Sequence, residues 1–184
     1  TGGIVYVAVG LGSFVLAAYG AWLTLDRIGI RVQNWLNPWQ DPLNVGFQPI
    51  QSDYALATGG VFGVGLGYGS PTYIPEVQTD YIFSAIGEEL GLLGALAVIC
   101  LYLIFVVRGF TIALRARDGY IQLLAAGLSS IIAVQTIIIV GGVTRIIPLT
   151  GITLPLISYG GSALLTNFAL AGMLLYVSGL PRRV

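Results

Sequence analysis

Asp80 stands where a loop turns into an apolar run, with Glu88 and Glu89 a little over two helical turns further in, ahead of an uncharged stretch from Leu90 to Val107. A carboxylate at the mouth of a membrane helix, with two more just inside, is costly unless something binds there. At an extracytoplasmic membrane surface, Asp80 is a candidate catalytic base. The cations available to accompany it are Arg27, Arg31 and Arg145. A planar guanidinium suits phosphate because its fork gives two parallel charge-assisted hydrogen bonds. All eight basic residues are arginine and there is no histidine, so histidine acid–base catalysis and His-ligated metals are excluded.

Plainer roles compete for the same residues. An aspartate in the first turn of a helix can cap free N–H groups and suit the helix dipole. The arginines can pair with Asp26 or Asp41 at the surface. Against these stand two patterns. Ser84, Gly87, Glu88 and Gly91 continue the Asp80 face at helical spacing, a polar stripe that suggests a cavity. Glu88 and Glu89 have no cation nearby in sequence, so each must find one across a helix interface or be protonated.

The elements that position these groups follow from composition. The chain of 184 residues is 56% hydrophobic and 9% charged, with a mean hydropathy of +0.88. A soluble domain carries roughly a quarter charged residues, so the chain reads as an all-α integral membrane protein. Net charge is zero, giving no sign of a nucleic-acid partner. The lone Cys100 lies inside an apolar run and reads as a packing residue. The start, Thr-Gly-Gly, has neither Met nor a basic region before the first apolar stretch, which reads as the interior of a longer protein rather than a signal peptide.

Four membrane spans are predicted, at about 4–25, 81–107, 121–143 and 157–178. Gly10, Gly12 and Gly20 in the first would allow close helix approach. Between the first two spans lies a large outer loop, 26–80. Ile28, Val32, Trp35, Leu36 and Trp39 recur there at helical spacing opposite Arg27, Arg31 and Asn34, predicting a short interfacial helix stopped by Asn37-Pro38. From Asp41-Pro42 to Pro75 the chain reads as loop, with a Gly-rich tract from Gly59 to Gly69 that fits a tight turn better than a nucleotide-binding loop. The linker 108–120 and the C-terminus hold Arg108, Arg115, Arg117, Arg182 and Arg183, against three arginines on the other side, which makes the five-arginine side cytoplasmic. The last loop, Thr150 to Ser162, supplies hydroxyls and glycines. It lacks a nucleophile elbow and fits backbone capping or anion contact.

Taken together, several motifs resemble the SEDS family (shape, elongation, division and sporulation). They are Asn37-Pro38 with Asp41-Pro42, Gly46-Phe47-Gln48-x-x-Gln51-Ser52, Gly59-Gly60-x-x-Gly63-x-Gly65, Pro75-Glu76-x-x-Thr79-Asp80-Tyr81-Ile82-Phe83, Glu88-Glu89-Leu90-Gly91 and Pro155-x-x-Ser158-Tyr159-Gly160-Gly161-Ser162. Val143-Thr144-Arg145 and the run Leu149 to Thr153 look closer to the FtsW branch than to RodA. Gln78 stands where His is common in the family, so any tuning of the neighbouring carboxylate by that His is absent.

The resemblance implies that the chain is the C-terminal four helices of a roughly ten-helix polytopic protein of the bacterial cytoplasmic membrane. It implies a peptidoglycan glycosyltransferase polymerising lipid II, with Asp80 at the family's essential acid and undecaprenyl diphosphate leaving. Expected substrate contacts are Arg27, Arg31, Arg145, Gln48, Gln51, Ser52, Glu76, Thr79, Glu88, Ser158 and Ser162. A divalent cation, Mg²⁺ or Mn²⁺, is the expected cofactor. The expected partners are a class B penicillin-binding protein, other division or elongation proteins, and membrane lipids. Two alternatives stand beside this: a flippase for the same lipid, using the polar stripe as its path, and a non-catalytic scaffold of a cell-wall complex.

Overall fold

The computed structural model describes residues 2–180, and its regular elements are all helical. Arg182 and Arg183, which weigh in the sidedness argument, lie outside the described residues. The first helix, α1, spans Gly2–Thr24 and is followed after a 92° bend by α2, Asp26–Leu36. Helix α2 ends where Asn37-Pro38 predicts, and Pro38 opens a single 3₁₀ turn, Pro38–Gln40. Three helices are each long and apolar enough to cross a membrane: α4 (Ile82–Arg115), α5 (Gly119–Val143) and α6 (Gly161–Ser178). The bent pair of α1 and α2 meets the same test only when its two parts are taken together.

Two elements differ from the sequence reading. The stretch read as loop contains a thirteen-residue helix, α3, Phe47–Gly59. It is short and rich in small residues, so it carries no membrane-span signal of its own, and it forms because one face packs on α4. The linker read as 108–120 is mostly helix, because α4 continues to Arg115 and the connection shrinks to 116–118. A charged residue ends an apolar run without ending a helix, and Arg108 and Arg115 are good helix formers.

Helix α4 is broken at Gly91, which has φ 69° and ψ −169°. The glycine-rich turn after α3 enters this break. Its Val64 and Gly65 N–H groups donate to the carbonyls of Glu88 and Glu89 at 3.0 Å each, and Leu92 and Leu93 N–H donate to Gly60 and Val61 carbonyls at 2.9 and 3.2 Å. Backbone groups freed inside a membrane helix must find partners in protein, and the glycine tract supplies them. Gly63 is required by contact: a Cβ there would sit on the Glu89 carbonyl.

The main core lies between α4 and α5, built on Phe83, Ala95, Ala125, Ile132 and Ile139. Its outer end is closed by Ile74, Tyr81, Val143 and Leu154, so the loops that carry the site rest on the same apolar cluster as the helices.

Candidate active site

Asp80 precedes α4 by two residues, and the helix start has no side-chain capping hydrogen bond. The capping role open from sequence is therefore not what Asp80 does. Instead Asp80 lines a pocket of about 160 Å³ with Arg31, Asn34, Trp35, Gln48, Tyr81, Arg145 and Gly151 among its walls. Gly151, at φ +75°, sits between the reactive groups: a Cβ there would stand 3.4 Å from Asp80 Oδ2 and 3.7 Å from Arg31 Nη2.

Each wall is fixed by a specific contact. Arg31 reaches across from α2 and donates through Nη1 to the Thr150 carbonyl at 2.9 Å. Arg145 has left-handed backbone, φ 60°, in the sharp turn after α5. Its Nη1 pairs with Asp53 Oδ2 at 2.9 Å, and its Nη2 donates to the Trp35 carbonyl at 2.8 Å. The Trp35 indole N–H returns a bond to the Arg145 carbonyl at 2.8 Å. Surface pairing with Asp26 or Asp41 is thus not how these arginines are held. Both terminal nitrogens of Arg145 are engaged within the protein, which makes it a brace of the pocket and leaves Arg31 as the guanidinium beside Asp80.

Burial is the main influence on the Asp80 carboxyl and raises it above the ordinary carboxylate value. The polar Thr79 side chain and the Arg31 charge oppose that rise, and Glu76 adds to it. A raised carboxylate is a stronger proton acceptor than a free one, which suits a base. The Tyr81 phenol is pushed well above its usual range by burial, then by Asp80 and Asp53, and stays protonated at neutral pH.

The remaining sequence candidates separate into three groups. Gln48 lines the pocket and donates to the Pro75 carbonyl at 3.2 Å. Thr79 and Glu76 adjoin Asp80 in the loop; Glu76 has left-handed backbone, φ 54°, and its carbonyl accepts the Thr79 hydroxyl at 2.8 Å. Ser158, 1% exposed, accepts from Leu154 N–H at 2.8 Å and donates to the Thr79 carbonyl at 2.6 Å, so it positions the backbone of the Asp80 loop. Tyr159 N–H adds a bond to the Gln78 carbonyl at 2.7 Å.

Others lie away from the pocket. Arg27 lines a separate surface cleft with Asp26. Gln51 does not line the Asp80 pocket. Ser162 begins α6, where its carbonyl accepts the Thr166 hydroxyl at 2.8 Å. Ser52 is buried and bonds Ser84 at 2.6 Å, tying α3 to α4. Glu88, 7% exposed, accepts from Ser70 N–H at 2.9 Å through one oxygen, while its other oxygen has no partner. The cavity expected along Ser84, Gly87, Glu88 and Gly91 is occupied: all four are buried, and Gly59 of α3 lies so close that a Cβ would overlap the Gly87 carbonyl. A polar, small-residue stripe satisfies a helix interface as well as a water-filled path, and here α3 fills it.

Asn34, Trp35 and Gly151 were not singled out as site residues from sequence. Asn34 fell on the polar face of the interfacial helix, the one local signal that could have marked it. Gly151 could have been found from its place between two threonines in a hydroxyl-rich loop. Among the described residues no group of three or more His, Cys, Asp or Glu could hold a metal.

Residues 3–182 match the family described as "Cell cycle protein", which comprises FtsW, RodA and SpoVE. The chain is 48% identical over 178 residues to "Peptidoglycan glycosyltransferase RodA" of Mycobacterium tuberculosis, covering 97% of this chain and 38% of that protein. It is 46% identical over 176 residues to "Stage V sporulation protein E" of Bacillus subtilis, covering 95% and 47%. Against "Probable peptidoglycan glycosyltransferase FtsW" of Geobacter metallireducens it is 44% identical over 173 residues, covering 91% and 46%. The RodA value stands slightly above the FtsW one, so the leaning to the FtsW branch drawn from residues 143–153 gains no support. The chain spans less than half the length of these curated relatives. Its fold matches, at TM-score 0.69 and 28% identity, a chain from the work "Structural coordination of polymerization and crosslinking by a peptidoglycan synthase complex", covering 94% of this chain and 48% of that one. With its apolar spans it is a multi-pass protein of the bacterial cytoplasmic membrane. By sequence, by fold and by the motifs that surround Asp80, the chain belongs to the SEDS family of FtsW, RodA and SpoVE.

Proposed function

We propose that this chain carries the outer-face catalytic centre of a peptidoglycan glycosyltransferase that polymerises lipid II, with Asp80 as general base. The observation that carries the reading is convergence. Arg31 and the Thr150–Gly151 turn, 119 residues apart, close on Asp80 in one pocket, braced by Arg145. The relatives named peptidoglycan glycosyltransferase supply the reaction class.

In the reaction, the 4-hydroxyl of one lipid-linked sugar attacks the anomeric carbon of another. The new glycosidic C–O bond forms as the bond from that carbon to the diphosphate breaks. The hydroxyl proton passes to Asp80, and undecaprenyl diphosphate departs as an anion that needs no general acid. Arg31 meets the charge developing on the diphosphate. One carboxylate acting on the attacking hydroxyl gives inversion at the anomeric carbon. A Mg²⁺ or Mn²⁺ ion would neutralise leaving-group charge, and Glu76, close enough to act on Asp80 by its charge, would be the protein carboxylate to share it. The pocket of about 160 Å³ admits the reacting groups rather than two whole lipid-linked sugars, so further walls come from beyond this chain. A class B penicillin-binding protein is the natural partner, since a polymer must be cross-linked. Flipping of lipid II is disfavoured because the stripe that would serve as its path is packed against α3.

The test is Asp80→Asn in the purified full-length protein with labelled lipid II. Polymer formation should fall about 10²–10⁴-fold while lipid II binding holds. Normal polymerisation by the folded variant would refute the assignment. Intact polymerisation with lost lipid translocation would return the flippase reading.

A further inference from the structure

Beyond the catalytic pocket, a large cavity lies at the opposite end of α4. It has a volume of about 630 Å³ and is walled by the last turns of α4, the start of α5 and the end of α6. Arg108, Arg115 and Arg117 line it, with Asp118 as its one acidic residue and Ile112, Ile121 and Val177 as apolar wall. The Asp118 carboxylate is occupied in accepting Tyr120 N–H at 3.1 Å, capping α5. Among the described residues the one ion pair is Arg145–Asp53, so Arg108 and Arg115 have no carboxylate partner there.

A second cavity, about 330 Å³, continues from the first. It shares Arg108 and Ile112, then runs between α4 and α6 past Phe105, Ile104 and Leu101 to Leu174 and Leu175. From Arg108 back to Leu101 is about 10 Å along a helix, directed toward the middle of the span. The combined shape is a cationic mouth at one membrane surface leading to an apolar groove at membrane depth. Free phosphate or a soluble anion would use the mouth and leave the groove empty. Arg108, Arg115 and Arg117, clustered at this end of the helices, mark it as cytoplasmic.

We propose that this groove binds an anionic phospholipid of the cytoplasmic leaflet, its phosphate held by Arg108 and Arg115 and an acyl chain lying between α4 and α6. Basic pockets between membrane helices at the cytoplasmic surface recognise such headgroups. Lipid here would fill the space between α4 and α6 and brace the helix whose other end presents Asp80.

Native mass spectrometry of the purified full-length protein tests this with phosphatidylglycerol against phosphatidylcholine of the same acyl chains. Phosphatidylglycerol should be retained preferentially, and Arg108→Gln/Arg115→Gln should weaken that retention about 30-fold, the effect of two arginine contacts at a membrane surface. Phosphatidylcholine retention should be unchanged in the double variant, and millimolar inorganic phosphate should leave the lipid adduct in place. Equal retention of both lipids by the wild-type protein would overturn the proposal, and that comparison does not depend on the variant folding. Displacement of the lipid by inorganic phosphate would overturn it in favour of a free-anion site.

Discussion

The break in α4 gives the sharpest structural prediction, because Gly91→Ala attacks it at one atom. Gly91 has φ 69° and ψ −169°, a region that essentially only glycine occupies. An added Cβ would lie 2.5 Å from the Val61 carbonyl oxygen and 2.7 Å from the Phe62 carbonyl carbon, both backbone, so no side chain can swing clear. Backbone strain of this kind costs about 1–3 kcal/mol. The variant can relieve it by expelling the glycine turn and straightening the helix. That forfeits the bonds of Val64, Gly65, Leu92 and Leu93 across the break, at about 1 kcal/mol net each. The two are alternatives rather than a sum, so the variant costs up to about 4 kcal/mol, a large fraction of the stability of many domains. Thermal unfolding in detergent should show a Tm lower by about 10 °C, with polymerisation lost because the segment bearing Asp80 is redirected. Gly119→Ala is the control: its Cβ meets nothing within 4 Å, and its Tm should stay within a degree or two. If Gly91→Ala keeps both its Tm and its activity, the broken helix is not the working conformation.

Two further outcomes follow from the site. Ser158→Ala strands the buried Leu154 N–H and the Thr79 carbonyl, which should cost about 2–4 kcal/mol and lower kcat more than lipid II affinity; an unchanged kcat would free the Asp80 loop from this tether. The acid limb of kcat/KM should lie above the ordinary carboxylate range, since burial raises Asp80. Arg31→Gln removes an influence that lowers the Asp80 pKa, so the limb moves to higher pH; Glu76→Gln removes one that raises it, so the limb moves to lower pH. Linkage fixes the stability sign as well. A carboxyl raised on folding contributes stability below its unfolded pKa and loses it as pH climbs through the folded value. Asp80→Asn should therefore not lower the Tm at neutral pH, and limbs that move the other way would show that a different group titrates.

Much of this protein is legible in its residues alone. Hydropathy over windows of about 20 residues marks the spans, because each crosses a fixed apolar thickness. A charge-poor chain with Asp80 at a helix mouth marks the end proposed here as catalytic, and motif spacing marks the family. What the sequence leaves open is set by contacts between distant segments. Arg145 meets Asp53 across 92 residues and Arg31 meets Thr150 across 119, so nothing near either arginine foretells its partner. Local periodicity made Ser84, Gly87, Glu88 and Gly91 look like the wall of a cavity, and only α3 packed against them shows that they form a helix interface. The Gly59–Gly69 tract reads as a flexible or tightly turned loop until the broken backbone of α4 is set beside it. Its glycines serve a partner some 28 residues further on, where the freed hydrogen bonds of a membrane helix have no water to turn to.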